Sequence, residues 1–309
     1  MLLACGADHR TQEASVSPDS PTIALVTSRP QLETGLDRDL PELARSLGAA
    51  GADVATVAWD DPRVDWERFD LVVIRSAWDY SERVAEFVAW AGRVARLTVL
   101  ANPASVVRWN TDKRYLEALA AAGVPVVPTR YLAPGDAVEI PDDGAFVVKP
   151  ASGAGARYAG RYEKGAYEDA VRHIERMHGE GLTAMVQPYM PRIDETGERA
   201  LVYVGGRFLH AIQKGAVLAP GTAYDDEKMP HPDLRPWQPT AAELALAEQA
   251  LAAVPGTPEL LYARVDLVDG PEGDGPCVME LELVEPNLFL GLHEGSLSAV
   301  TEEILVAAA

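Results

Sequence analysis

The chain has 309 residues, 48% hydrophobic and 24% charged, an ordinary balance for a soluble protein with two or three small domains. Its 47 acidic residues outnumber 27 basic ones, leaving a formal net charge of −20. That charge excludes nucleic acid as the main partner, because a phosphate backbone demands clustered Lys and Arg, and it leaves any anionic ligand to a few local cations or to metal ions. Two cysteines, Cys5 and Cys277, imply no disulfide framework and fit a reducing compartment. No apolar run approaches the roughly 18 residues that a membrane span needs, so the expected location is cytoplasmic, with no membrane partner.

Residues 1–20, rich in Ser, Asp, Thr and Pro, read as a disordered leader. The opening Met1-Leu2-Leu3-Ala4-Cys5 resembles the tail of a lipoprotein signal but lacks a basic start and an apolar stretch. From Thr22 the pattern is regular. Residues 23–26 form a buried strand running into a loop at Ser28-Arg29-Pro30, 39–50 a helix closed by Gly51, and 53–59 a second strand. Residues 69–74 are a third strand, 82–97 a helix with Val84, Phe87, Val88 and Ala91 on one face, and 98–100 another strand. Strands alternating with helices indicate an open parallel α/β sheet, which binds ligands beyond the carboxyl ends of its strands. Arg29, Arg75, Ser76 and Trp78 fall there and are the candidate substrate contacts, although Trp78 also reads as simple packing.

Asn102-Pro103 breaks the pattern, and a helix is expected over 111–122. The style then changes. Strands at 146–150 and 185–190 flank an amphipathic helix over 167–178; strands at 200–204, 208–213, 262–268 and 278–284 accompany a helix over 241–254 and a long Gly/Pro/charge stretch over 215–239. This part is α+β, without an internal repeat.

Two groups of residues carry chemistry. Arg264-Val265-Asp266 lies in one expected strand and Glu280-Leu281-Glu282 in the next. Strand alternation puts Glu280 and Glu282 on one face, and antiparallel pairing would bring Asp266 to join them. Clustered carboxylates repel unless a cation lies between them, and hard oxygen ligands suit Mg²⁺. The plainer reading, three unrelated surface acids, conflicts with their Val, Leu and Met company. The second group is Lys149 at a strand end, followed by Ser152-Gly153-Ala154-Gly155, whose amides can close over phosphates, with Lys113 early in the 111–122 helix. The glycine loop is neither a Walker nor a Rossmann sequence and alone also reads as a flexible turn. His210, His231 and His293 have no ligand spacing and read as structural.

These pieces, over about residues 22–305, resemble the ATP-grasp superfamily through Thr111-Asp112-Lys113, Val147-Val148-Lys149-Pro150, the glycine loop, Val186-Gln187-Pro188-Tyr189-Met190, Arg264-Val265-Asp266 and Glu280-Leu281-Glu282. A closer likeness to natural-product ligases of the cycloserine-forming, O-ureido-serine cyclo-ligase type rests on Val57-Ala58-Trp59-Asp60-Asp61, Arg75-Ser76-Ala77-Trp78-Asp79-Tyr80, Val107-Arg108-Trp109-Asn110 and Glu285-Pro286-Asn287-Leu288-Phe289-Leu290. The resemblance implies an ATP-grasp fold, α/β and α+β: an N-terminal parallel α/β unit over 21–107, a central lid over 108–190 and a C-terminal catalytic unit over 191–309. It implies an ATP-dependent carboxylate–amine ligase that activates a small amino acid as an acyl phosphate. Lys113, Lys149 and the Ser152–Gly155 loop (with Gly153 and Ala154) would hold the phosphates, Gln187 and Met190 the adenine, Glu198 the ribose and Lys214 the γ-phosphate. Asp266, Glu280 and Glu282 would bind two Mg²⁺ ions, with Mn²⁺ as an alternative, and Arg264 would stabilise the oxyanion. Many relatives place Asn where this chain has Glu282, which alters the metal's charge balance. The 215–239 stretch would supply a flap. A homodimer is compatible with this reading. Ring closure and joining of two amino acids stay open, as do a phosphoryl-transfer enzyme and a non-catalytic nucleotide-binding regulator.

Overall fold

The computed structural model describes residues 20–140, 144–153, 157–218, 233–271 and 273–309. The leader up to residue 19, Ala154 and Gly155 of the glycine loop, His231 and most of the expected flap (219–232) lie outside them.

The chain begins with β1 (Thr22–Thr27), a short helix α1 (Arg29–Thr34), α2 (Asp39–Ala49), β2 (Asp53–Ala58), β3 (Leu71–Ser76), α3 (Val84–Val94) and β4 (Val99–Ala101). The four strands form one parallel sheet in the order β2-β1-β3-β4. β1 and β3 are the central strands, and their unbroken apolar runs, Ile23 to Val26 and Leu71 to Ile74, are fully buried. α1 differs from the expected loop: Ser28 caps it through Gln31 N–H, Pro30 sits in its first turn, and Gly35 closes it at φ 63°.

Two helices follow, α4 (Ala104–Asn110) and α5 (Tyr115–Ala121). The sequence suggests one helix over 111–122; instead Lys113 lies in the turn between two, its N–H bonded to the Ala151 carbonyl at 2.7 Å. Leu116 and Leu119 of α5 share an apolar core with Leu246, Val265 and Leu281 further along the chain. The middle of the chain supplies β5 (Arg130–Leu132), β6 (Phe146–Pro150), β7 (Gly160–Tyr162), α6 (Tyr167–Gly179) and β8 (Ala184–Pro188). Their antiparallel sheet runs β5-β8-β6-β7, and α6 covers it with Ala170, Ile174 and Met177.

A third sheet follows a single turn of helix, α7 (Ile193–Thr196). Its strands are β9 (Glu198–Val204), β10 (Arg207–Lys214) and β11 (Arg235–Trp237), then, after α8 (Ala241–Ala252), β12 (Tyr262–Asp269) and β13 (Pro276–Glu282). The order is β11-β10-β9-β12-β13, all antiparallel. β11 falls in a stretch whose Gly and Pro content suggests no regular structure; its three residues pair with β10. A C-terminal helix, α9 (Ser296–Ala307), packs Val300 and Ile304 against Leu43 and Leu47 of α2. Among the described residues no helix is long and apolar enough to cross a membrane.

Polar side chains stitch the parallel sheet to the third one. Asn102, wholly buried, donates to the carbonyls of Tyr262 (2.8 Å) and Leu283 (2.7 Å) and accepts from Leu261 N–H (2.8 Å). Asn110 brackets β13 by donating to Leu281 and accepting from Leu283, both at 2.8 Å. Truncating Asn102 strands three buried backbone groups, each at about 1–3 kcal/mol. Asn102→Ala should therefore destabilise the fold by about 4 kcal/mol in urea unfolding, against less than about 0.5 kcal/mol for an exposed polar substitution.

His173 on α6 is buried, its Nδ1 paired with the Tyr162 hydroxyl at 2.8 Å, and burial pushes its pKa down from 6.5 to about 4. The unfolded chain then binds the proton that the native state refuses, so stability rises with pH between about 4 and 6.5. Wild type should lose stability relative to His173→Gln as pH falls through that window and run parallel to it above pH 7.

Candidate active site

One cavity of about 1050 Å³ opens between the three sheets. Its floor is one face of β12 and β13. Antiparallel register sets Asp266 opposite Glu280 and Arg264 opposite Glu282, so the acids of both strands and the arginine share that face. The alternate residues Val265, Leu267 and Leu281 point the other way into the core.

Burying these charges is tolerable only because each meets a counter-charge. Arg264 holds Asp266 through two hydrogen bonds of 2.8 Å, pairs with Glu282, and donates its third nitrogen to the Asn287 carbonyl at 3.1 Å. Lys214 at the end of β10 lies 2.8 Å from Asp266 and also pairs with Glu198. Lys113 reaches Glu280 at 2.9 Å and the Gly153 carbonyl at 2.6 Å. Gly197, at φ 64°, permits the Glu198–Lys214 approach: a Cβ there would collide with the Lys214 carbonyl.

These contacts separate the acids. Burial works against Asp266, but Arg264 and Lys214 hold its carboxyl well below the usual range. Glu280 is likewise lowered against burial by Lys113 and Lys149. Burial dominates at Glu282 and Glu198, pushing both to about 7. Among the cations, burial would depress Lys113 and Lys214, yet Glu280 and Asp266 hold them above the ordinary lysine value. Lys149, on β6, differs: burial leaves it below that value, and it has no ion pair within 4 Å among the described residues.

Among the described residues no three acids form a ready-made metal cage, since Arg264 stands between Asp266 and Glu282 and Lys113 occupies Glu280. The donor chemistry nonetheless fits a hard divalent ion: carboxylates from paired strands on one cavity face, one of them, Glu282, pushed up to about 7 chiefly by burial. Gln187, near the end of β8, and Met190, just beyond it, line the wall, with Gln187 donating to the Thr129 hydroxyl at 2.8 Å. Gly153 also lines the cavity, while Ser152 before it does not.

The cavity thus brings together Lys113, Lys149, Gly153, Gln187, Met190, Glu198, Lys214, Arg264, Asp266, Glu280, Glu282 and Trp78. Arg29, Arg75 and Ser76 are not on its lining. Arg29 is half-exposed and bound to Asp60 at 3.1 Å, and the Ser76 hydroxyl pairs with Thr27 at 2.9 Å. Arg75 is buried behind the wall, donating to the Pro286 carbonyl at 3.1 Å with its guanidinium 5.5 Å from the Tyr262 ring. Asp39, Tyr80 and Glu285 do line the cavity but drew no assignment from sequence. Glu285 lies three residues past the Glu280/Glu282 pair, outside β13, where strand alternation says nothing about direction. On one side of the cavity Arg157, just after the glycine loop, pairs with Glu82 next to α3.

Comparison with known proteins agrees with this geometry. Residues 23–102 match the family model described as the N-terminal domain of D-cycloserine synthetase DcsG. The chain is 40% identical to the cycloserine biosynthesis protein DcsG of Streptomyces lavendulae over 287 residues, covering 88% of this chain and 94% of that one. It superposes on the crystal structure of D-cycloserine synthetase DcsG with a TM-score of 0.82 and 36% identity, covering 93% of this chain and all (100%) of the other. A D-alanine–D-alanine ligase from Bacillus anthracis complexed with ATP shares the fold at TM-score 0.69 and 15% identity, with 94% and 97% of the two chains covered. With its lysines, acids and arginine gathered in one cavity of that fold, this chain belongs to the DcsG family of ATP-grasp enzymes, ATP-dependent ligases that form carbon–nitrogen bonds.

Proposed function

We propose that this ligase closes a ring within a single amino acid, activating its carboxylate with ATP and capturing it with a nitrogen carried on the same molecule. What supports the reading is the match along 94% of a cycloserine biosynthesis protein, together with a cavity holding one arginine between two acids and lysines on the facing walls. Lys113 and Lys149 are assigned to the phosphates of ATP, beside the backbone at Gly153. Gln187 and the segment at Met190 are assigned to the adenine, Glu198 to the ribose, and Lys214 to the γ-phosphate. Asp266, Glu280 and Glu282 would hold two Mg²⁺ ions, which when bound neutralise the triphosphate's charge and polarise the phosphoryl group being transferred.

A carboxylate is a poor electrophile, and phosphorylation gives it a leaving group. The carboxylate oxygen takes the γ-phosphoryl group and ADP departs. The nitrogen then attacks the acyl carbon, phosphate leaves with the electrons of the C–O bond, and the nitrogen sheds a proton. Arg264, fixed by Asp266 and the Asn287 carbonyl, is assigned to the oxyanion that forms on the way. A walled cavity keeps water from the acyl phosphate. On the substrate side the reading retains Trp78 as a contact, with Arg29, Arg75 and Ser76 supporting the wall.

ADP release should be measured with O-ureido-serine and O-amino-serine, each alone and with a second amino acid. ADP formed with one amino acid alone, and an O-amino-serine product lighter by one water, is the expected result. A strict need for a second amino acid would replace ring closure by dipeptide formation, and no ADP with any compound would favour a nucleotide-binding regulator. Within the site, Arg264→Ala should lower turnover roughly a hundredfold or more while leaving ATP affinity almost unchanged. Lys149→Ala should instead weaken ATP binding. Equal behaviour of the two variants in turnover and in nucleotide titration would contradict the division of roles.

A further inference from the structure

Glu285, like Asp39, is a cavity-lining acid that no step above uses. It is 8% exposed, lies where the segment after β13 meets the turn after β3, and is fixed from that side twice. The Trp78 indole donates to its carbonyl oxygen at 3.3 Å, and the buried Tyr80 hydroxyl hydrogen-bonds its carboxyl. No cation among the described residues lies within ion-pair distance of it, unlike Asp266, Glu280 and Glu282. A carboxyl kept out of water without a counter-charge is costly to ionise, and burial, with Glu282 adding to it, pushes its pKa up to about 8 in the empty cavity. The missing element is a cation, and the group faces the space where a ligand would sit.

The chain around it sets the spacing. Two residues on, the Asn287 carbonyl accepts from the Arg264 guanidinium at 3.1 Å, so one short segment orients both an acid and the arginine assigned to the oxyanion that the substrate carboxylate becomes. An α-amino acid carries an ammonium and a carboxylate on one carbon and needs an acceptor and a donor held side by side. We propose that Glu285, held by Tyr80, accepts the α-ammonium group of the substrate, so that the site takes zwitterionic α-amino acids in preference to simple carboxylic acids. Glu285 is then a substrate-binding residue and Tyr80 the positioning residue behind it. The assignment rests on the ligase reading above and adds to it the feature by which the acid substrate is selected.

The test compares O-ureido-serine with its counterpart lacking the amino group, 3-(ureidooxy)propanoate, by ADP release in wild type, Glu285→Gln and Tyr80→Phe. Nucleotide titration of each variant shows that the ATP site is intact. Wild type should favour the amino acid roughly a hundredfold in kcat/KM, the usual scale for removing one partner of a buried charged pair. Glu285→Gln should bring the two compounds to within a few-fold, through loss on the amino acid alone and with unchanged ATP affinity. Tyr80→Phe should raise KM for the amino acid with little change in kcat. Wild type active on both compounds without preference overturns the assignment and leaves the ligase reading standing. So does a Glu285→Gln variant that binds ATP and keeps the preference. Wild type inactive on both compounds, despite binding ATP, removes the ring-closing reading and this assignment with it.

Discussion

The pairing of β12 with β13 is the constraint on which the cavity depends. With Asp266 opposite Glu280 and Arg264 opposite Glu282, these four charged side chains face the cavity and the intervening Val265, Leu267 and Leu281 face the core. A slip of one residue would exchange the faces, burying charge in hydrocarbon and presenting leucine to the ligand. Such an exchange is prohibitive, since an unpaired buried ion costs several kcal/mol. The same alternation that makes the sheet stable therefore positions the chemistry. β9 and β10 extend it, their antiparallel register setting Glu198 opposite Lys214 on the same floor.

The parallel sheet matters to the cavity because it is fastened to this floor by buried polar groups. The Tyr262 hydroxyl faces the carbonyls of Ile74, Ala101 and Val284 at 2.6, 3.2 and 2.9 Å, drawing the ends of β3 and β4 onto the segment after β13. Asn102 and Asn110 do the same with amides. The residues following β3 are then held above β13, which is why Trp78 and Tyr80 come to line a cavity whose floor is formed some two hundred positions later in the chain. Ligand binding beyond the carboxyl ends of parallel strands follows here from that fastening as much as from the strands themselves.

Strong periodic signals made the strands legible in the sequence. The apolar runs of β1 and β3, the Val-Val-Lys-Pro strand end and the acid alternation of β13 all appear where pattern places them, and Lys149, Arg264, Asp266, Glu280 and Glu282 share one cavity. Local pattern failed where tertiary contact decides. Lys113 sits between two short helices because its N–H is taken by Ala151 and Tyr115 turns inward to meet Leu281 N–H at 2.9 Å. β11 exists because β10 offers it an edge, not because its Arg-Pro-Trp sequence favours a strand. Arg29, Arg75 and Ser76 looked available as residues at strand ends, but Asp60 and Thr27 engage Arg29 and Ser76, and Arg75 is buried off the cavity with one nitrogen on the Pro286 carbonyl; no local rule reveals partners that distant in sequence. Glu285 was hidden for the converse reason: its meaning comes from Tyr80, in the turn after β3 some two hundred residues earlier.

The electrostatics reconcile a protein of net charge −20 with an anionic substrate. At ordinary range a surface of that sign repels a nucleotide, but salt screens exposed charges beyond about 8–10 Å, so the local set around the cavity decides. In that set, Lys113, Lys214 and Arg264 are engaged by acids, while Lys149 has no such partner among the described residues and is held below its ordinary value by burial. On the proposed assignment, an arriving phosphate would relieve the cost of charging Lys149. Divalent ions on Asp266, Glu280 and Glu282 would replace the counter-charge that Lys113 and Arg264 now provide, freeing both for the bound phosphates and the substrate carboxylate. The cavity is thus partly self-neutralised, with Lys113, Lys214 and Arg264 each paired to an acid while Lys149 and Glu285 have no ion-pair partner among the described residues.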